Sequence, residues 1–296
     1  MMENYRPYSM VNVPSKGLYY PDKKDFFYIR YLSYEEEYIL TDQTIMEHGD
    51  GIRKVLEAVI VDDFDIEKLV PGDVQAISMF LRSTAFGDKL DLNLKCPKCK
   101  KEQERSVRIS EFQMKQVEQL PEEGQVFNLE LPVSKKAVKL RVPTYLEEVE
   151  AERQGKVGFS NKLGRIITKI GDLTDRRQIR GVVPNMPIKD SRFLKDFLDK
   201  NTPGVKTEVV HECESCHHEF TQKFSTDHNF LRLPADYRQG MMEQIFNISY
   251  HSQGGISWSE AVKMPTVERM WLMNRLKKAI DERNSQEKKA ISKARK

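Results

Sequence analysis

Apolar and polar residues alternate over two pairs of short stretches. Leu90-Asp91-Leu92-Asn93-Leu94-Lys95 and Ser106-Val107-Arg108-Ile109 make one pair. Lys206-Thr207-Glu208-Val209-Val210 and Phe220-Thr221-Gln222-Lys223-Phe224 make the other. A period of two puts successive side chains on opposite faces, so each stretch reads as a half-buried strand and each pair as a β-hairpin. Two further strands are expected at Phe26–Arg30 and Ala137–Arg141.

The rest of the chain changes to a helical period. Ser33 with Glu36, and Thr144 with Glu147, form capping boxes, in which a hydroxyl takes a free amide at the helix start and a carboxylate returns the bond. The first opens a helix from Tyr34 to about Leu40. Another helix is expected from Gly51 to Val61, with Ile52, Val55, Leu56 and Val59 on one face, and another from Asn161 to Ile170, with Leu163, Ile166, Ile167 and Ile170 inward. Pro71-Gly72-Asp73 starts a third helix in the first half, with Asp73 as its expected N-cap and Val74, Ile77, Phe80 and Leu81 buried. Pro187-Ile188-Lys189-Asp190 precedes its counterpart, with Phe193, Leu194, Phe197 and Leu198 inward.

These signals recur in order. Arg30, Ser33, Tyr34, Glu36 and Glu37 match Arg141, Thr144, Tyr145, Glu147 and Glu148. Asp73, Phe80, Leu81, Cys96 and Cys99 match Asp190, Phe197, Leu198, Cys213 and Cys216. The nearly constant offsets predict an internal duplication of a strand, helices and hairpin unit in an α+β fold. The expected organisation is an extended arm over 1–25, a first repeat over 26–110 and a polar linker over 111–136 with Pro121 and Gly124 as breakers. A second repeat over 137–226, a helical segment over 227–276 and a tail over 277–296 complete the chain.

The four cysteines, Cys96, Cys99, Cys213 and Cys216, are the only ones in the 296 residues. Each Cys-x-x-Cys falls between two predicted strands, where a tight turn aims two thiolates at one point. Four thiolates make a closed structural zinc site with no position open to a substrate. A redox pair would instead open a helix after a strand. His217 and His218 are spare ligands beside the second pair, and His211 reads as an exposed strand residue. One zinc per chain would staple halves that are remote in sequence and remove chain entropy from the unfolded state. A reducing compartment is implied, since Met1–Tyr8 has no signal-peptide pattern and reduced cysteines suit zinc. No apolar run approaches the ~20 residues of a membrane span.

Aromatic and apolar residues also cluster at the two ends. Leu18, Tyr19 and Tyr20 lie in an arm broken by Pro14, Gly17 and Pro21, and must be buried on their own domain or on a partner. Past the second hairpin, a helix is expected from Tyr237 to Ile248 with Met241, Ile245 and Phe246. Ser257 is a candidate cap, and Thr266 opens the last helix, with Val267, Met270, Trp271, Met273 and Leu276 apolar. Leu18, Tyr19, Tyr20, Trp258, Met270 and Trp271 are the candidate partner contacts. After Leu276, eight basic side chains face three acidic ones, a local charge of +5 that reads as a solvated helix end or tail.

The net charge of +3 does not demand nucleic acid. Phosphate-cradling, metalloprotease and nucleophile-elbow motifs are absent, and the acidic runs at 35–37 and 147–148 suit the first turns of helices. The expected protein is not an enzyme.

The ordered set Pro14-Ser15-Lys16-Gly17-Leu18-Tyr19-Tyr20-Pro21, the Arg-x-x-Ser/Thr-Tyr-x-Glu-Glu units, the Pro-Gly-Asp helix, both knuckles and the closing Gly254-Gly255-Ile256-Ser257-Trp258 with Met264-Pro265 and Glu268-Arg269 resembles the baseplate hub and hub assembly proteins of T-even-like contractile-tailed bacteriophages. The resemblance runs from about residue 11 to 276. It implies a structural or assembly part in the tail baseplate, with other hub and tail-tube proteins and the tape-measure protein as partners, in the host cytoplasm during assembly and then in the virion tail. The alternatives are a nucleic-acid-binding zinc ribbon, favoured by Lys95, Lys98, Lys100 and Lys101, and a chaperone-like cytoplasmic adaptor using the Met- and Trp-rich C-terminus.

Overall fold

The computed structural model describes residues 7–47, 50–122, 125–155, 158–224, 226 and 230–294. Gly124, residues 156–157 of the loop expected at 154–160, and Arg295 and Lys296 of the basic tail lie outside this set.

In the first half, β1 (Tyr8–Asn12) pairs antiparallel with β2 (Phe26–Arg30). Then come α1 (Tyr34–Leu40), α2 (Gln43–Glu47), α3 (Asp50–Val59), α4 (Pro71–Phe86) and the hairpin β3 (Lys89–Lys95) with β4 (Glu102–Arg108). The second half carries β5 (Val126–Glu130), β6 (Ala137–Arg141), α5 (Tyr145–Arg153), α6 (Phe159–Ile166), β7 (Ile167–Ile170), α7 (Arg176–Val182) and α8 (Ile188–Asn201). The hairpin β8 (Glu208–Glu212) with β9 (Glu219–Lys223) closes it. Three helices end the chain: α9 (Tyr237–His251), α10 (Trp258–Lys263) and α11 (Thr266–Ala294).

Both capping boxes form where the residue pattern places them, at Ser33 with Glu36 and at Thr144 with Glu147, and a third forms at Ser257 with Glu260. The helix expected over Asn161–Ile170 ends at Ile166. Ile167–Ile170 instead pairs with β6, the middle strand of a three-stranded sheet in the order β5-β6-β7. Its β-branched residues fit a pleated surface as well as a helical stripe, and the free edge of β6 decides between them. The first half repeats this arrangement in reduced form. Ile60 bridges Ile29 of β2, and the Val61 amide donates to the Tyr28 carbonyl. β5 lies within the stretch expected to link the halves.

Asp73 is not an N-cap. Pro71 stands at the first position of α4, where its missing N–H and fixed φ cost nothing, so Val70 becomes the cap. Asp73 is fully buried one turn in. It accepts from the Ser15 amide at 2.9 Å and from the Tyr20 hydroxyl at 2.5 Å. Asp190 of α8 is placed alike, buried and accepting from the amides of Val133 at 2.7 Å and Ser134 at 3.1 Å. Each aspartate therefore ties a helix start to the turn of a β-hairpin.

One hydrophobic cluster joins both halves, from Phe27, Ile29, Val55 and Ile77 through to Phe127, Leu140, Ile166 and Leu194. Burial of each such side chain contributes about 1.5–3 kcal/mol. The arm belongs to this core. Tyr19 and Tyr20 are buried, Leu18 packs against the cluster, and the Tyr19 hydroxyl donates to the Asn201 carbonyl at 2.6 Å. These three expected partner contacts are thus engaged inside the molecule. None of the four hairpin strands β3, β4, β8 and β9 contributes a buried residue to the cluster.

The C-terminal helices pack on the first half through a smaller cluster of Ile245, Ile248 and Ala261 with Tyr34, Leu272 and Met273. Met241 and Ile245 are buried, whereas Phe246, Met242 and Tyr250 are exposed. On α11 the inward stripe holds Arg269, Leu272, Met273 and Leu276, while Val267, Met270 and Trp271 face out. Arg269 is fully buried and pairs with the equally buried Glu37 of α1. It also donates through Nε to Gln244 at 3.0 Å. Burial pushes the Glu37 carboxyl up, and Arg269, Thr266 and Tyr237 draw it back toward the charged form. The first-turn placement of Glu37 therefore does not account for it; the ion pair does.

A candidate four-cysteine metal centre at the hairpin tips

Each knuckle is a loop closing a two-stranded ladder. The Cys96 amide donates to the Lys101 carbonyl and the Lys100 amide to the Cys96 carbonyl. Across the site, the Cys213 amide donates to His218 and the His217 amide to Cys213. Lys100 (φ 63°) and His217 (φ 54°) take the left-handed conformation that turns each loop back. The turns aim amides at sulfur: Lys98 and Cys99 toward Cys96, Ser215 and Cys216 toward Cys213.

The two loops meet crosswise. Cys96 Sγ lies 3.7 Å from Cys216 Sγ, and Cys99 Sγ lies 3.5 Å from Cys213 Sγ. All four sulfurs fall within 4.8 Å of one another. A tetrahedral ion with Zn–S bonds of ~2.3 Å requires sulfurs about 3.8 Å apart, so the four thiols fit one zinc-sized cation. Cys96 and Cys213 are buried, Cys216 is half-buried and Cys99 is exposed, so the centre is reached from one side.

Burial pushes the Cys213 thiol up, but the amides of Ser215 and Cys216 outweigh it and bring it down to about 6. For Cys216 the His218 amide acts downward, yet burial and the crowding of Cys99, Cys213 and Cys96 push it up to about 12. Four thiolates this close repel one another, and a cation among them relieves the repulsion. With all four donors in place such an ion is a cross-link, without a position for substrate.

The spare histidines are committed elsewhere. His217 Nδ1 pairs with Glu212 at 2.8 Å, and His218 stacks on Phe220. His211 is a correction. It is buried, because it alternates in register with inward Val209 on β8. Gln103 of β4, also buried, ties the hairpins together. Its Nε2 donates to Cys213 Sγ at 2.9 Å, and its Oε1 accepts from the Glu214 amide at 2.9 Å and from His211 Nε2 at 3.3 Å. Arg105 donates to His211 Nδ1 at 2.9 Å, which leaves Nε2 as the protonated nitrogen facing Gln103. Sequence reading missed Gln103. Its only signal is an uncharged amide at an inward strand position four residues past the second cysteine.

Of the other expected contact residues, Trp258, Met270 and Trp271 stand exposed on α10 and α11. They are not brought to the cysteine centre.

The geometry is thus an α+β body with two Cys-x-x-Cys turns converging on one point. The family model described as T4 bacteriophage base plate protein matches residues 18–232. The chain belongs to this family. The match takes in most of the main core, both cysteine-bearing hairpins and all four cysteines, and it stops before α9. No curated protein and no solved structure matches the chain. As a family member it is a phage baseplate protein, whose working contacts are with other tail or baseplate proteins. Among the described residues, no helix is long and apolar enough to cross a membrane.

Proposed function

We propose that this protein is a non-enzymatic scaffold of the baseplate hub, built by internal duplication and carrying one structural zinc on Cys96, Cys99, Cys213 and Cys216. The observation that carries the reading is the family match over a chain whose four cysteines converge within 4.8 Å. Support for duplication comes from matched details: the capping boxes, the helix-start aspartates bound to hairpin turns, and the left-handed fifth residue of each knuckle. Trp258, Met270 and Trp271 are its docking side chains for other hub, tail-tube or tape-measure proteins, since the body leaves them uncovered. Assembly in the host cytoplasm and a place in the finished virion tail are part of the same proposal, and the family match supports the tail. The acidic second knuckle, with Glu212, Glu214 and Glu219, disfavours a nucleic-acid-binding ribbon.

Metal analysis of chelator-free protein, with and without Cys213→Ser, tests the centre. One zinc per chain is expected, falling to none in the variant. Because the hairpins lie outside the shared core, amide exchange should quicken by at least about tenfold in β3, β4, β8 and β9 while the core stays protected. A variant that keeps its metal, or wild type without any, would remove the zinc reading. Co-expression with tail proteins tests the hub role: capture lost on Trp258→Ala with Trp271→Ala supports docking there, and no capture of any hub component counts against it.

A further inference from the structure

The tip that carries the cysteines is electrically two-sided. From Lys95 to Glu102 the first knuckle presents Lys95, Lys98, Lys100 and Lys101 against one glutamate. From Glu212 to Glu219 the second presents Glu212, Glu214 and Glu219 with no lysine or arginine. All of these side chains are exposed. Lys95 is matched within its own hairpin by Glu102 at 3.3 Å, and Glu212 by His217. Among the described residues, Lys98, Lys100, Lys101, Glu214 and Glu219 have no ion-pair partner.

The metal centre does not require this pattern. A four-thiolate zinc carries net negative charge, which lysines nearby stabilise and glutamates nearby oppose. Three glutamates around it are therefore placed against the local electrostatics. A wholly acidic or wholly basic partner does not resolve this, since it would meet attraction on one knuckle and repulsion on the other. A surface holding equal patches of both signs side by side complements itself under a twofold rotation, which sets each patch against its opposite.

We propose that the knuckle tip is a self-association surface that binds the tip of a second copy of this chain, first knuckle to second knuckle in both directions. The inference is independent of the hub reading. Each copy supplies both halves of the contact, so the interface is isologous and closes as a dimer. It is rim-like and charged, so it sets orientation and responds to salt.

Sedimentation of the full-length protein tests it. Dimerisation is expected near about 0.05 M salt, weakening by about tenfold or more near 0.5 M, as screening removes several exposed pairs. Lys98→Glu with Lys101→Glu makes both knuckles acidic and should leave a monomer. Glu214→Lys with Glu219→Lys makes both basic and should do the same. Mixing these two variants should restore a dimer of one of each. The ligand cysteines and left-handed Lys100 are untouched, and zinc content checks that each variant keeps its tip. A wild type that is monomeric at every salt concentration overturns the proposal. So does a dimer indifferent to salt and both reversals, or a mixture of variants that stays monomeric.

Discussion

The two halves of this molecule carry similar helix starts in unlike surroundings. Glu37 and Glu148 occupy matching positions in α1 and α5. Glu37 is sealed beneath α11 against Arg269, whereas Glu148 meets Lys162 at 2.7 Å with both side chains about a third exposed. Gly72 of α4 lies so close to the other half that an added Cβ would sit 2.1 Å from the Pro203 carbonyl oxygen. Its counterpart in α8 is Lys189, which is exposed. Asp73 is closed in by the Tyr20 hydroxyl besides an amide, while Asp190 accepts from two amides. The first half is the more covered one at these positions, receiving both the end of α8 and the C-terminal helices, while Glu148 and Lys189 of the second half stay open to solvent. Matching sequence signals fix local structure; what later packs on that structure fixes the energetics.

Substitutions at matched positions should separate the halves most at the glutamates. Glu37→Ala leaves Arg269 charged and unpaired in the interior and should cost about 3–5 kcal/mol. Glu148→Ala removes a half-exposed pair and should cost no more than about 1 kcal/mol. Denaturant melts of both variants measure the difference, and equal losses would mean that Glu37 is not sealed.

Gly72→Ala comes next. The facing atom is backbone and cannot swing away, so overpacking should cost about 1–3 kcal/mol. Lys189→Ala should stay within about 0.5 kcal/mol of wild type. A silent Gly72→Ala would show that the closest approach between the halves is looser than described.

The smallest and most diagnostic contrast is in pH dependence. Burial raises the Asp73 carboxyl from its ordinary 3.8 to about 6, against the hydrogen bonds from Ser15 and Tyr20. The folded state then holds a proton that the unfolded state has lost between these values. Stability therefore falls as pH rises through that window and levels above it, by about 1–3 kcal/mol in all. Asp190 is also subject to burial, but the amides of Val133 and Ser134 prevail and hold its carboxyl below the usual range. Its contribution has the opposite sign and is lost as pH falls through the ordinary carboxylate range. Stability curves of Asp73→Asn and Asp190→Asn, each subtracted from wild type, should slope in opposite directions. Parallel slopes would mean that the two aspartates are equivalent after all.

The local chemistry was legible in the sequence, and the tertiary assignments were less so. Hydroxyl and carboxylate three residues apart located the helix starts, and paired cysteines between alternating stretches located the four-cysteine cluster, because both signals act over a single turn of chain. Asp73 was misplaced because its acidity suggested a cap, while Pro71 two residues earlier already identified the first helical position. Ile167–Ile170 satisfied two periods at once, and only a neighbouring strand could choose between them. The burial of Glu37 followed from Arg269, a cation on the apolar stripe shared with Leu272, Met273 and Leu276 and distant by more than two hundred residues. The bonds that join Gln103 to His211, Glu214 and Cys213 depend on the two hairpins facing each other, which no local pattern states.

The separation of the knuckles along the chain also has a consequence in time. Cys96 leaves the ribosome 117 residues before Cys213, as Cys99 does before Cys216, and at ~5–20 residues per second this is a delay of about 6–23 s. Throughout that interval the nascent chain exposes two thiols with half a coordination sphere. The centre can close only after nearly the whole second half has been made and has docked on the shared core. A metal held by all four thiolates would therefore enter late and record completion of the body, and a chain truncated anywhere before Cys213 cannot complete the four-cysteine site.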